Sequence, residues 1–199
     1  MKEAGKKIVF ASNNSHKLEE VRALTKDFID VLSLKDIGCH DDIPETGDTL
    51  ESNALIKARW VKEKYGYDCF ADDTGLMVDA LDGAPGVYSA RFAGEHCSPD
   101  DNIELLLEKL TGKTDRNARF ETVIALIDEG LERLFKGEVK GKISHSRHGT
   151  GGFGYDPVFI PEESGISFAE MTGEEKNKIS HRGRAVRQLT EFLKQKYQN

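Results

Sequence analysis

No apolar run in this chain is long enough to span a bilayer. Near the lysine-bearing N-terminus the apolar stretch is only Ile8–Ala11, too short as well for the core of a secretory signal. Positive charge is also in short supply. Lys and Arg number 28 against 35 Asp and Glu, a net of -7, and this argues against a nucleic-acid binder, whose footprint is a basic patch. A local basic pocket for a small polyanion remains compatible with that balance. Cysteine is scarce: Cys39, Cys69 and Cys97 are odd in number and lack metal-type spacing, so they read as reduced thiols of a cytoplasmic protein. Repeats, linkers and low-complexity tracts are missing too. What remains is 199 residues with a mean hydropathy of -0.52, the profile of a soluble chain that builds one domain, of one piece or two lobes.

The stretch that organises the rest is Phe70-Ala71-Asp72-Asp73-Thr74-Gly75-Leu76. An apolar run, Tyr67–Ala71, is expected to end as a strand where a turn over Asp72–Gly75 begins, with Gly75 relaxing the backbone. Taken alone, such residues are an ordinary polar turn. As a functional element they offer oxygen ligands to a hard cation such as Mg²⁺, which protein sites hold through one or two carboxylates.

Upstream, Lys7–Ala11 reads as a buried strand followed by Ser12-Asn13-Asn14-Ser15-His16-Lys17 and a helix whose apolar face is Leu18, Val21, Leu24 and Phe28. A polar strand-to-helix turn aims unpaired N–H groups at one spot, an anion site. Lys17 stands in the first helical turn, where a cation opposes the helix dipole. A second short strand, Ile29–Leu34, leads to a solvated loop in which Pro44 and Thr46-Gly47 flank Glu45. The next helix, about Thr49 to Tyr65, buries Leu50, Ala54, Ala58, Val61 and Tyr65, with Asn53 and Lys57 on the rim of that face. Ser98-Pro99-Asp100-Asp101 starts another helix with the stripe Ile103, Leu106, Leu107, Leu110. Arg119–Ile127 and Leu131–Lys140 form a hairpin around Asp128-Glu129-Gly130.

His148–Pro157 contains a literal G-x-G-x-x-G at Gly149, Gly151 and Gly154. The dinucleotide fingerprint needs a helix next, whereas Asp156–Pro161 reads as a strand, so that reading is rejected. A glycine-rich loop with Phe153 and Asp156 suits a base platform, with a ring to stack on and a carboxylate for a base or ribose edge; the plainer alternative is a tight loop whose Phe153 plugs the core. A final helix carries Ala185, Val186, Leu189, Phe192 and Leu193 on its buried side. Ser180 is its N-cap, and His181 and Arg182 lie in its first turn, a second cation set against a dipole.

With these residues collected, the chain resembles the inosine triphosphate pyrophosphatase family, the Ham1-like hydrolases of deaminated purine nucleoside triphosphates. The matching pieces are Ser12-x-Asn14-x-x-Lys17, Glu45-Thr46-Gly47, Glu51-x-Asn53-Ala54-x-x-Lys57-Ala58 and Ala71-Asp72-Asp73-Thr74-Gly75-Leu76. Gly83-Ala84-Pro85-Gly86-x-Tyr88-Ser89-Ala90-Arg91, Gly149–Pro157 and Glu175-Lys176-x-x-x-Ser180-His181-Arg182 follow in order. Ser12 and Thr74 stand where the family often has Thr and Ser, and both keep a hydroxyl.

The resemblance implies an α/β fold spanning residues 1–199 as a single domain of two α/β lobes. A long central mixed β-sheet, a substrate cleft between the lobes and a homodimer go with it. It implies hydrolysis of ITP, dITP and XTP to the monophosphate and pyrophosphate with Mg²⁺, and no nucleic-acid or membrane partner. Those products require cleavage between the α- and β-phosphates, with attack expected at the α-phosphorus. Glu45 and Asp73 would hold the ion, with Asp72 as a further ligand or an orienter. Asp73 is also the candidate for activating the water, directly or by way of the ion. Lys17 and Lys57, with Ser12, Asn13, Asn14, Ser15, His16 and Thr74, would neutralise and hold the phosphates. Phe153, with Gly154, Tyr155 and Asp156, would meet the base, and Lys176, His181 and Arg182 would read it. A donor facing O6 accepts hypoxanthine and xanthine and rejects adenine, whose N6 is itself a donor. The rival readings are a pyrophosphatase for other modified triphosphates and a non-catalytic nucleotide sensor.

Overall fold

A computed structural model of the chain describes residues 6–27 and 29–197. Among them the order is β1 (Lys6–Phe10), α1 (Ser15–Thr25), β2 (Ile29–Leu32), α2 (Leu50–Tyr65), β3 (Cys69–Val78), β4 (Pro85–Gly86), α3 (Pro99–Lys109), β5 (Asn117–Asp128), β6 (Leu131–Ile143), β7 (Phe159–Pro161), α4 (Gly173–Ile179) and α5 (His181–Tyr197). The strands join one mixed sheet in the order β2-β1-β3-β5-β6-β7, with β4 hydrogen-bonded to β3. β1 runs parallel to both β2 and β3. β5 and β6 are joined through Glu129 and Gly130, both in the left-handed region, as a two-residue hairpin turn of the primed type requires.

The chain folds into two compact units. The first is residues 1–73, 122–137 and 182–199; the second is residues 74–121 and 138–181. Neither is a continuous segment, because β3, β5 and β6 each contribute residues to both. The first unit is cored by Ile8, Phe10, Val21, Phe70, Ile124, Leu126, Ala185, Leu189 and Leu193. The second is cored by Leu76, Val78, Ile103, Leu106, Leu110, Phe120, Phe159 and Phe168.

In the first unit, β1, α1 and β2 form one crossover, and α2 carries the chain back past β1 to β3. Both connections join parallel strands but travel in opposite directions, so the right-handed rule sends α1 and α2 to opposite faces. The strand order reverses between β1 and β3, the kind of crevice where open α/β sheets bind ligands. The register Phe10↔Phe70 brings the turn after β1 alongside Asp72, and the two rings stack with centroids 4.9 Å apart.

Three expectations need correction. β3 does not stop at Ala71 but continues through Asp72, Asp73, Thr74 and Gly75 to Val78. Asp and Gly favour turns, but here the sheet and the charges on its faces override that local preference. Asn53 and Lys57 are not on a rim; both are buried, at 1% and 5% exposure. Residues 173–179 form a helix where no element was expected, opened by a capping box between Thr172 and Glu175. The other predicted elements are present, but the strand expected over Asp156–Pro161 is only Phe159–Pro161 behind a turn, the one over Ile29–Leu34 ends at Leu32, and Tyr65 is half-buried. α1 exposes little of Leu18, Val21 and Leu24, while Phe28 lies outside the described residues. α3 has Ser98 as N-cap, Pro99 at its start and Asp101 closing a capping box.

The C-terminal helix is pinned by charge. Asp128, with a fully buried side chain, accepts from Lys6 (3.0 Å), Lys196 (2.7 Å) and the Tyr197 hydroxyl (2.8 Å). Burial pushes the Asp128 carboxyl up, but its hydrogen bonds to Lys196, Lys6 and Tyr197 outweigh that and hold it below its ordinary value. A carboxyl depressed in the folded state contributes stability above its unfolded pKa and loses it as pH falls through the folded value. Asp128→Asn is therefore expected to lower stability at pH 7 by roughly 3 kcal/mol, the scale for breaking a buried ion-pair network. Urea titrations should show the gap to the unsubstituted protein closing below about pH 4, where its own carboxyls protonate.

Candidate active site

Successive side chains of a strand point to opposite faces, so Asp72 and Asp73 part company at once. Asp72 shares the Phe70 side, where α1 and α5 pack. Its Oδ1 accepts from Lys17 Nζ (2.9 Å) and its Oδ2 from Arg182 Nε (3.0 Å). Arg182 also bonds Glu20 of α1. The two first-turn cations, each set against its helix dipole, thus converge on one carboxylate. Burial alone pushes Asp72 up, but Lys17, Arg182 and Lys57 hold it well below the usual carboxylate range. Burial pulls the Lys17 ammonium down; Lys57 and Arg182 reinforce this against Asp72.

Asp73 faces α2. Its Oδ2 accepts from Asn53 Nδ2 (3.1 Å), and its Oδ1 lies 3.8 Å from Lys57 Nζ. Lys57 Nζ also donates to Glu45 Oε1 (2.6 Å) and to the Asp72 carbonyl (2.7 Å). Burial pulls the Lys57 ammonium down, but Asp73, Glu45 and Asp72 together hold it above its ordinary value. Asp73 goes the other way from Asp72. Burial raises it, Lys57 and Lys17 only partly offset this, and Glu45 adds to the rise. Adjacent carboxyls on one strand are thus shifted in opposite directions.

Before these groups the chain supplies a polar turn. Ser12 Oγ accepts the Asn14 N–H, and Asn14 caps α1 by accepting the Lys17 N–H. Asn13, Asn14, Ser15 and His16 are exposed and Ser12 is half-buried, so this turn lies at the surface.

Among the described residues no three His, Cys, Asp or Glu side chains gather into a metal cage. A Mg²⁺ site does not need one, because the ion is usually held by one or two carboxylates together with substrate phosphates. Glu45 and Asp73 are both within reach of a single ammonium, the cation they now share. That donor set fits an ion arriving with a polyphosphate.

The other candidates belong to the second unit. Asp156 Oδ2 accepts the Phe153 N–H (2.9 Å) and Lys176 Nζ (2.7 Å). Lys176 Nζ lies 4.7 Å from the Phe153 ring centroid. Phe153 is half-buried, so it does not plug the core. Tyr155 does: it is buried and donates to the Ser89 carbonyl (2.7 Å), anchoring the loop. His181 stacks on Phe120, centroids 4.5 Å apart. Thr74 is the half-buried first residue of this unit, and Gly154 turns the loop at φ +59°. Arg182, expected beside His181 as a base reader, instead belongs to the first unit, committed to Asp72 and Glu20. Sequence reasoning gave no role at the site to Glu20 or Asn53. Glu20 left no signal, whereas an Asn within the apolar stripe Leu50, Ala54, Ala58, Val61 was one.

The loop geometry makes a sharp prediction. A Cβ on Gly152, at φ +69°, would lie 2.1 Å from Asp156 Oδ2, whereas Gly154, at φ +59°, has open space around it. Gly154→Ala should cost about 1 kcal/mol for the left-handed backbone alone. Gly152→Ala should cost about 2 kcal/mol more, because Asp156 must be displaced as well. Urea unfolding of the two variants measures the difference.

The profile of the Ham1 family matches residues 8–192. The chain is 56% identical over 187 residues to the dITP/XTP pyrophosphatase of Christiangramia forsetii, spanning 94% of this chain and 98% of that one. It is 54% identical to the dITP/XTP pyrophosphatase of Flavobacterium johnsoniae, over 94% and 97% of the two chains. Among solved structures it superposes on the Staphylococcus aureus Ham1 protein with a TM-score of 0.86 at 40% identity, covering 96% of this chain and all of that one. With a HAM1 protein from Coxiella burnetii the TM-score is 0.88 at 39% identity, over 96% and 99%. A match along nearly the whole chain, in both sequence and fold, places this protein in the Ham1 family.

Proposed function

We propose that this protein is a nucleotide-pool cleansing enzyme that hydrolyses deaminated purine nucleoside triphosphates, dITP, ITP and XTP, to the monophosphate and pyrophosphate. The observation that carries the reading is the Lys57 ammonium shared by Glu45 and Asp73, one strand position from an Asp72 already neutralised by Lys17 and Arg182. The names of the relatives support the substrate class.

The groups suited to a polyphosphate belong to the first unit, apart from Thr74. Those suited to a base, Phe153, Asp156, Lys176 and His181, belong to the second. We treat the two as lobes of one catalytic domain. Mg²⁺ as the ion, a homodimer as the assembly and the cytoplasm as the compartment carry over from the family resemblance, and three free thiols suit that compartment.

Glu45 and Asp73 would hold Mg²⁺, which when bound supplies charge neutralisation along the phosphates and draws electron density from the phosphorus under attack. Lys57, relieved of part of its carboxylate pairing, turns its charge to phosphate oxygens, as Lys17 and the N–H groups of the turn after β1 do. Such positioning and electrostatics supply most of the catalysis in phosphoryl transfer. Asp73, kept basic by burial, takes a proton from the attacking water. We assign Asp72 the part of orienter, because both its oxygens are engaged by cations. Phe153 would stack on the purine, and Lys176, held by Asp156 above that ring, would donate to O6. An ammonium has donors and no acceptor, so it cannot satisfy the amino group of adenine.

A panel of nucleotides with pyrophosphate as the readout tests the reading. The kcat/KM for dITP, ITP and XTP should exceed that for ATP by at least about 100-fold, the scale of discrimination by an unpaired buried polar group. Orthophosphate released stepwise, seen by ³¹P NMR, would place the attack elsewhere than the α-phosphorus. Asp73→Asn should lower kcat by about 10³ while nucleotide binding stays measurable, and chelation of divalent ions should abolish turnover.

A further inference from the structure

We infer that Asn53 is a positioning residue that fixes the two candidate ion-holding carboxylates, Glu45 and Asp73, relative to each other. This rests on the reading of those two carboxylates as the pair that meets the substrate's cation. Glu45 lies in a stretch without regular secondary structure, residues 39–49, so the sheet does not set its place directly. Asp73 lies within β3. Asn53 touches both segments. Its Oδ1 accepts the Gly47 N–H at 2.7 Å, two residues from Glu45, and its Nδ2 donates to Asp73 Oδ2 at 3.1 Å.

Burial and fit make this more than a passing contact. Asn53 is 1% exposed on a helix whose other buried positions are mostly apolar, where a polar side chain is tolerated only if its hydrogen bonds are made. The carboxamide carries its acceptor and its donor on separate atoms, and both are used. Gly47 is matched to it. A Cβ there would lie 2.1 Å from Ser52 Oγ and 2.8 Å from Asn53 Oδ1, so only glycine lets the loop settle against the first turns of α2. Ser52 is itself fixed in the capping box with Thr49. Lys57, one helical turn further on, completes the arrangement by reaching both carboxylates. The amide orients and the ammonium compensates.

Two substitutions separate the parts. Asn53→Ala loses both hydrogen bonds. Asn53→Asp keeps size and the acceptor for Gly47 but replaces the donor to Asp73 with an oxygen. Amide hydrogen exchange followed by mass spectrometry, over residues 42–49, reads the loop without reference to activity. Asn53→Ala should quicken exchange there by at least about tenfold, with the rest of the chain unchanged, and Asn53→Asp should leave it near the original rate. Both should lose about 100-fold in kcat for dITP, the scale of a misplacement near 1 Å, with KM altered by no more than about threefold. Unchanged exchange in Asn53→Ala overturns the proposal, as does a kcat within about threefold of the original in either variant. If Asn53→Ala does not fold, the kcat and KM of Asn53→Asp decide. If the unsubstituted protein turns over no deaminated purine triphosphate, the functional reading fails, and the exchange comparison still decides whether Asn53 holds the Glu45 loop.

Discussion

Two ionised groups stand side by side in the middle of a strand that is buried on both faces. Even after relaxation, taking a carboxylate out of water costs several kcal/mol, and the loss is tolerable only where cations and hydrogen bonds replace the missing hydration. Much of the first unit is arranged around that requirement. Strand alternation sends the carboxylates to opposite faces, so the compensation is built twice from different helices. Lys17 of α1 and Arg182 of α5 close on Asp72, while Asn53 and Lys57 of α2 close on Asp73. Asp72 is held well below and Asp73 above the ordinary carboxylate value, so the two neighbours answer the same requirement differently.

The same requirement explains two helix starts that are locally unfavourable. A lysine in the first turn of α1 and an arginine in the first turn of α5 each oppose their helix dipole, a loss of a few tenths to about 1 kcal/mol. Each makes contact there with the same buried carboxylate, Asp72. Because Arg182 also reaches Glu20, the start of α5 is tied to α1 as well as to β3. The helices are thereby fixed at the ends nearest the polar turn after β1. Removing Asp72 would leave an arginine at 1% exposure without its strand partner.

The sequence made the α/β architecture, the long helices, the β5–β6 hairpin and most of the candidate residues legible, because each leaves a local mark. α3 shows its Ser98-Pro99 start, and α2 its apolar stripe. Short-range rules failed where long-range partners decide. Asp-Asp-Thr-Gly has every mark of a turn, yet residues distant in sequence supply the charges that keep it in a strand. Asn53 and Lys57 looked like rim residues because their partners, Gly47, Glu45 and Asp73, come from outside the helix. Arg182 follows His181 in the chain, and adjacency suggested a shared task; the start of a helix instead sent the two side chains to different partners. The capping box that opens α4, Thr172 with Glu175, is itself a local mark in the sequence.

In the second unit the same reliance on fixed polar groups appears in smaller form. Asp156 holds the backbone of Phe153 and the ammonium of Lys176 with one oxygen, so ring and donor are set relative to each other before any ligand arrives. Gly152 permits this only because it has no side chain, since a methyl group would occupy the place of that carboxylate. Under the proposed reading this matters more for selectivity than for affinity. A mobile lysine could swing away from an adenine amino group and leave it to water. One fastened to a buried carboxylate cannot, so the mismatch of donor with donor persists and counts against the wrong substrate. On that reading, the fixing of Phe153 and Lys176 by Asp156 is a means of telling a keto group from an amine.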